Sequence, residues 1–304
     1  MNNLLIGDCR NILPTLEAQS VQCVVTSPPY YKLRDYGAKE QIGQEATYQE
    51  YIESLVDVFR EVRRVLKDDG TVWLNLGDSY AGSGHGGNLG KNKKLKSMTP
   101  LKQTPLSGLK KKDLIGVPWR VAFALQEDGW YLRQDIIWHK PNVMPESVKD
   151  RCTKSHEYIF LLSKSKNYYF DAEAIKEPVV SIKGNNKTFR NGGVYTKGQS
   201  YFNSKKIEAE THGNKPNESG KRNKRDVWTI PTHPYKGAHF AAFPLKLVIP
   251  CVLAGTREGD VILDPFFGSG TVAEAAALLN RNLLGIDINP DYEPLYKQRL
   301  VLFA

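Results

Sequence analysis

Val21-Gln22-Cys23-Val24-Val25-Thr26-Ser27-Pro28-Pro29-Tyr30 holds both a strand and the reason for its end. Val21–Val25 is a largely apolar, β-branched run, the pattern of a strand buried on both faces of a parallel sheet. Two prolines after Ser27 can neither extend a ladder nor open a helix there, so the strand is expected to stop. Ser27 and Tyr30 then stand on a stiff loop at a strand's carboxyl end, where open α/β sheets hold their ligands. A loop offering a hydroxyl, proline-flanked carbonyls and an aromatic face suits a planar ring that carries an amino group. Without a ligand it would be only a proline-rich strand exit.

The counterpart lies near the other end of the chain. Val261-Ile262-Leu263 reads as a strand with Asp264 at its tip, followed by Pro265-Phe266-Phe267 and a tight turn, Gly268-Ser269-Gly270. Thr271–Asn280 is an alanine-rich helix, and Leu283–Ile286 is a further strand ending at Asp287. This βαβ unit has an acid 23 residues beyond Asp264, a place where an acid commonly binds ribose hydroxyls. A dinucleotide oxidoreductase would share the pattern, but the turn lacks the third glycine of GxGxxG and Asp264-Pro265 precedes it. A carboxylate suits a sulfonium amino acid better than a pyrophosphate.

Ahead of the first stretch the periodicity predicts a short strand at Leu4–Ile6 with Gly7-Asp8 at its end, and a turn or two of helix within Asn11–Gln19. It also predicts a long helix over about Tyr48–Lys67, ended by Gly70, and a buried strand at Thr71–Leu76. Pro118 opens a helix to about Asp128, and Trp130–Trp138 is a strand. His156–Leu162 and Tyr168–Asp171 are expected to pair as a hairpin. A final helix covers Leu245–Ala254.

The chain of 304 residues carries a net charge of +9, concentrated in two places. Residues 81–112 contribute +8 and residues 181–226 contribute +7, which leaves −6 for the remainder. A basic surplus confined to two polar, Gly- and Asn-rich segments points to a polyanion-facing surface, although solvated loops would have the same composition. The candidate phosphate contacts are Lys91, Lys93, Lys94, Lys96, Lys110, Lys111 and Lys112 in the first segment. In the second they are Arg190, Lys221, Arg222, Lys224 and Arg225, interleaved with aromatics that can stack on bases. Cys9, Cys23, Cys152 and Cys251 form no CxxC pair, so neither a zinc site nor a disulfide framework is expected. No apolar run approaches 18 residues and the start lacks a signal-peptide pattern, which predicts a cytoplasmic protein without membrane contact.

Taken together, Val24–Tyr30 and Asp264–Thr271 resemble the catalytic and S-adenosylmethionine motifs of the β group of DNA amino-methyltransferases. That group contains cytosine-N4 and adenine-N6 enzymes of the restriction–modification type. Asp264–Thr271 matches their DPF-x-GSGT pattern at every fixed position. The resemblance covers all but the two basic segments and implies an α/β, Rossmann-like S-adenosylmethionine-dependent methyltransferase fold, circularly permuted, with an inserted target-recognition region.

The implied organisation is a catalytic half at 1–80, a flexible basic insertion at 81–112, the rest of the catalytic half at 113–180, target recognition at 181–226, and the cofactor half at 227–304. Ser27, Pro28, Pro29 and Tyr30 would hold the flipped base. Asp8 would meet the cofactor's adenine, Asp287 its ribose and Asp264 its methionine end. Pro265, Phe266, Gly268, Ser269, Gly270 and Thr271 would line the same site. Phe243 and Pro244 would cover it from a segment, His239–Pro244, that resembles the family's HPAPFP-like stretch but has Phe240 for the usual proline. Trp138–Asn142 and His156-Glu157 also resemble family sequence, with structural roles expected for His139 and His156.

The implied partners are double-stranded DNA and a cognate restriction endonuclease, with a homodimer left open. No metal is implied. Ser27 before Pro-Pro points to N4 of cytosine, with N6 of adenine as the alternative; an RNA or small-molecule methyltransferase and an inactive DNA-binding module also remain. A ring-carbon cytosine enzyme would need a cysteine nucleophile, and Pro250-Cys251 lies in an apolar helix where the thiol is expected in the core.

Overall fold

A computed structural model describes residues 2–33, 40–82, 107–179, 220–232 and 243–294. The described residues form two compact units, one from Met1–Ala174 with Arg225–Ala304 and one from Ile175–Lys224. The larger is built on eight strands: β1 (Asn2–Ile6), β2 (Val21–Thr26), β3 (Leu66–Leu76), β4 (Tyr131–His139), β5 (His156–Ser163), β8 (Val227–Thr229), β9 (Val261–Asp264) and β10 (Asn282–Asp287). They lie in the order β1-β10-β9-β2-β3-β5-β4-β8, and within this sheet β5 alone runs against its neighbours. Its helices are α1 (Cys9–Ile12), α2 (Tyr48–Val65), α3 (Val117–Glu127), α4 (Leu245–Gly255) and α5 (Thr271–Leu278).

The permuted order is present in the sheet. β1 pairs in parallel with β10, from Asn2↔Leu283 to Ile6↔Asp287, so the first strand of the chain docks beside one of its last. Gly7 N then donates to Asp287 O at 2.8 Å, which puts Asp8 next to the end of β10. β2 pairs with β9 through Cys23↔Ile262 and Val24↔Leu263.

Helices cover both faces. Thr47 and Glu50 form a capping box that opens α2, whose Leu55, Phe59 and Val62 join Val72, Leu74 and Leu76 in one core. Successive strand residues point to opposite faces, so Thr71 and Trp73 look the other way. There they meet Gly255 of α4, where an added Cβ would lie 2.9 Å from Thr71 Oγ1.

Three expectations need correction. The long helix ends at Val65, because Leu66 is already extended (φ −73°, ψ 137°) and β3 begins there. Gly70 therefore does not end the helix. It sits inside β3, where a Cβ would come within 2.5 Å of Leu66 Cγ and 2.9 Å of Gln22 O. The expected hairpin of His156–Leu162 with Tyr168–Asp171 does not form either. β5 pairs with β3 on one side and β4 on the other, since an isolated ribbon would leave Ile159–Leu162 half covered. Residues 168–171 instead run irregularly, with Tyr169 N donating to Asp69 O and Asp171 N to Ala254 O. The short helix arrives earlier than expected, at Cys9–Ile12, and continues as a single 3₁₀ turn, Leu13–Thr15.

In the smaller unit β6 (Glu177–Pro178) pairs antiparallel with β7 (Lys221–Arg222), and Arg222 Nε donates to Glu177 Oε1 at 2.9 Å. Lys91, Lys93, Lys94, Lys96, Arg190 and His239–Ala242 lie outside the described residues. Among the described residues no helix is long and apolar enough to cross a membrane.

Candidate active site

The strand tips along one edge of the sheet bring the predicted residues together. On the cofactor side, Thr26 Oγ1 donates to Asp264 Oδ1 at 2.7 Å, and Phe266 N donates to the same oxygen at 3.1 Å. Asp264 is 1% exposed. Burial pushes its carboxyl up to about 7, the Thr26 and Phe266 bonds drawing it partly back and the Asp287 charge adding to the rise. Asp287 accepts Gly268 N on Oδ2 at 2.6 Å and Asn289 N on Oδ1 at 2.8 Å. Burial raises it too, against those backbone bonds. The acid expected for ribose thus also ties the glycine turn to β10.

Asp8 caps α1 and accepts Arg10 N at 2.8 Å and Arg10 Nη2 at 2.5 Å. Burial pushes its carboxyl up, but the Arg10 bonds and charge outweigh that and hold it below its ordinary value. An adenine amino group at Asp8 would share the carboxylate with Arg10, a residue the sequence did not single out.

The turn fits a small polar ligand. Gly268 and Gly270 hold left-handed φ values of 53° and 79°, which a side chain would strain. Gly285 lets the Phe267 ring approach so closely that a Cβ there would lie 2.4 Å from Cδ2. Ser269, 2% exposed, has a buried hydroxyl with no partner in the structure, and such a group calls for one. A sulfonium amino acid nucleoside, with ammonium, carboxylate and ribose hydroxyls, matches these donors and acceptors. Thr271 is buried as the first residue of α5. Pro244 precedes α4, and Phe243 lines a small cavity with Thr26, Trp73 and Asn75 on the β2–β3 side of Asp264.

The Ser27–Tyr30 loop is held from behind. Tyr51 Oη donates to Pro29 O at 2.9 Å, and Lys32 N to Gly43 O at 2.8 Å. Tyr31 is a core residue, its ring 5.6 Å from that of Tyr51. Tyr30 is half-buried, its hydroxyl 2.7 Å from Glu157 Oε2 and 3.1 Å from Asn75 Oδ1. Burial and the Glu157 charge push this phenol well above its ordinary value, with the Ser27 hydroxyl drawing it partly back. Gly77 leaves room for the ring: a Cβ there would lie 2.4 Å from Tyr30 Cε2. Glu157 in turn forms an ion pair with Lys140, which sits 4.1 Å from the centre of the Trp138 ring.

Asn75, Glu157 and Lys140 were missed as site residues. The available signal was their position, each at or just beyond the catalytic end of a strand. Asp78 accepts Gly116 N and Val117 N and so caps α3. His139 Nδ1 lies 3.1 Å from Thr229 Oγ1, and His156 Nε2 lies 3.4 Å from Tyr158 Oη. Cys251 is buried with Sγ against Leu247 O.

Of the candidate phosphate contacts, Lys110, Lys111 and Lys112 are exposed; Lys112 meets Asp150 at 2.7 Å and Lys110 meets Asp113 at 3.6 Å. Lys221 and Arg225 are exposed and Lys224 is half-buried. Arg222 is engaged by Glu177, which lowers its value as a phosphate ligand.

Residues 21–298 match a family model described as DNA methylase, the N6/N4 type. The Type II methyltransferase M.SmaI of Serratia marcescens is 49% identical over 98% of this chain and 90% of its own length. M.Cfr9I of Citrobacter freundii is 47% identical over 98% and 87%. The fold matches the PvuII DNA methyltransferase (cytosine-N4-specific), with a TM-score of 0.65 at 18% identity over 98% of this chain and 86% of that one. It also matches the Thermus thermophilus modification methylase TTHA0409 complexed with S-adenosyl-L-methionine, with a TM-score of 0.60 at 24% identity, covering 100% and 94%. With the catalytic loop ahead of the cofactor turn in the chain and beside it in the sheet, the protein belongs to the N6/N4 DNA methylases, the β group of S-adenosylmethionine-dependent amino-methyltransferases.

Proposed function

We propose that the protein methylates N4 of cytosine within a specific sequence of double-stranded DNA. One observation carries the assignment of roles: Ser27 follows Thr26, and Thr26 is bonded to Asp264, so the base-binding loop and the cofactor turn share one crevice. S-adenosylmethionine, bound by Gly268–Gly270, Ser269, Asp264 and Asp287, supplies an electrophilic methyl group there.

The target amine lies inside a duplex, so the nucleotide must leave the stack to reach this crevice. Its lone pair is delocalised into the ring, which makes it a weak nucleophile. Ser27 Oγ and the Pro28 carbonyl accept its two N–H bonds and draw nitrogen toward a tetrahedral form. Tyr30 supplies the face on which the ring lies. Because Tyr51 and the two prolines hold this loop in advance, placement contributes much of the acceleration. As the nitrogen–methyl bond forms the methyl–sulfur bond would break, leaving a neutral thioether, and the methylated nitrogen would release one proton to water to become a neutral amine. Neither an enzyme nucleophile nor a covalent enzyme–base bond is required, consistent with the buried position of Cys251.

Ser27 supports cytosine N4, since a neutral hydroxyl before Pro-Pro is the form that resembles cytosine-N4 enzymes. The Lys-rich segments supply phosphate contacts, and residues 181–226 choose the sequence. Kinship with Type II methyltransferases supports a restriction endonuclease of the same specificity as partner. Nucleoside mass spectrometry of DNA methylated in vitro tests the reading. N4-methylcytosine is the expected product, N6-methyladenine alone would replace cytosine with adenine, and transfer to RNA alone would overturn the DNA assignment.

A further inference from the structure

We infer that Glu157, seated by Lys140 and Asn75, is the positioning residue for Tyr30 and thereby sets the surface the target base meets. The inference rests on the target-base reading above and assigns a role to three residues outside both signature motifs. Tyr30 comes from the loop after β2, Asn75 from the end of β3, Glu157 from the start of β5, and Lys140 from just beyond β4. β3 and β5 thus meet the phenol directly, and β4 reaches it through the Lys140–Glu157 ion pair. A tyrosine hydroxyl withdrawn from water needs only one partner, and Asn75 Oδ1 at 3.1 Å could serve. The shorter contact is to Glu157, at 2.7 Å.

Asn75 Nδ2 lies 3.0 Å from Tyr158 O and 3.4 Å from Glu157 Oε2, which locks the amide's orientation beside the carboxylate. The Glu157 and Lys140 side chains are only 16% and 15% exposed. An ion pair withdrawn from water to this degree is a poor source of stability compared with apolar residues of the same volume. Its value is geometric. Pro28-Pro29 and the Tyr51 bond fix the backbone end of Tyr30, Glu157 fixes the hydroxyl end, and Gly77 fixes how far the ring settles. With both ends held, the ring offers a base one orientation.

The acceptor atom, not the charge, is what Tyr30 requires, and this separates a positioning role from a structural one. Two paired replacements remove both charges together: Glu157→Gln with Lys140→Met keeps an acceptor, and Glu157→Leu with Lys140→Met does not. Single-turnover methyl transfer to duplex DNA should stay within about threefold of wild type in the Gln/Met protein. It should fall on the order of 10²-fold in the Leu/Met protein, the scale of a misplaced reacting group, and by a similar factor in Tyr30→Phe. Combining Tyr30→Phe with Leu/Met should cost no more than the larger of the two, because both remove one interaction. S-adenosylmethionine affinity should stay within about twofold in all of them.

A 2-aminopurine at the target position gives a second measure: its fluorescence in the complex should change alike in Tyr30→Phe and Leu/Met. Multiplicative losses, or a Leu/Met protein as fast as Gln/Met, would overturn the inference while leaving the methyltransferase reading intact. If Leu/Met fails to fold, Gln/Met and Tyr30→Phe still decide, since a hundredfold loss in Gln/Met or wild-type speed in Tyr30→Phe refutes it. A wild-type protein that moves no methyl to DNA would remove both readings together.

Discussion

Replacing Gly77 by alanine should damage catalysis out of proportion to its size. The added methyl would sit 2.4 Å from Tyr30 Cε2 and 2.9 Å from Cδ2, against about 3.5 Å or more for relaxed carbon contact. About 1 Å of movement is therefore needed, and the ring has little freedom to supply it. Its hydroxyl is 2.7 Å from Glu157, so a shift of that size stretches the bond beyond any useful length. Overpacking costs about 1–3 kcal/mol of stability, while displacement of the base platform costs on the order of 10²-fold in rate. Gly285→Ala is the matched control. It would press on Phe267 at the same 2.4 Å, beside the cofactor turn rather than the base. Single-turnover transfer with saturating cofactor should reveal the Gly77→Ala loss, and calorimetric titration of S-adenosylmethionine the Gly285→Ala loss. The reasoning is refuted if Gly77→Ala turns over at the wild-type rate, or if the two variants exchange phenotypes.

Asp287→Ala removes a carboxylate that also accepts Gly268 N, and should weaken S-adenosylmethionine by about 1–3 kcal/mol by calorimetry. In the free protein Asp264 holds its proton up to about pH 7, against 3.8 ordinarily, so the folded state binds more protons than the unfolded one between those values. Stability should then fall as pH rises through that window, by up to about 4 kcal/mol. Urea midpoints of Asp264→Asn should lose that slope, and an unchanged slope would assign it to another group. Deleting residues 90–112, or neutralising Lys221, Arg222, Lys224 and Arg225, should flatten the dependence of DNA affinity on salt by about 0.9 for each phosphate no longer neutralised. An identical log–log slope in both variants would make these segments bystanders.

What was legible follows from how locally each feature is encoded. Ser27–Tyr30 and Gly268–Thr271 carry their own backbone instructions, two prolines in one and left-handed glycines in the other, so their loops could be placed from adjacent residues. α2 was legible because its apolar positions recur at helical spacing, and the structure adds a capping box at Thr47 and Glu50. Its end was not, because the usual glycine stop signal is overridden by Gly70's task of admitting Leu66 and the Gln22 backbone. The partners of β5 were not legible either: an apolar run declares burial without saying which edge it takes. The same limit hid Asn75, Glu157 and Lys140. Each is ordinary in its own segment and acquires meaning only where β3 and β4 end on either side of the start of β5.

The pairing of β2 with β9 is the step that brings the two motifs together. The chain after β2 passes through α2 to β3 on one side, and the chain after β9 passes through α5 to β10 on the other. α2 packs on the face that holds Val72 and Leu74, while α5 packs with α4, which covers the opposite face at Trp73. Two crossovers leaving adjacent parallel strands in opposite directions open a crevice beyond those strands' carboxyl ends. Here that crevice has Ser27 on one wall and Asp264 on the other, and Thr26 bridges the walls 238 residues apart in sequence with a 2.7 Å bond. On the assignment proposed above, a methyl acceptor held by the first wall and a donor held by the second meet there. Because neither wall depends on which half of the chain comes first, the permuted order leaves the site's chemistry unchanged.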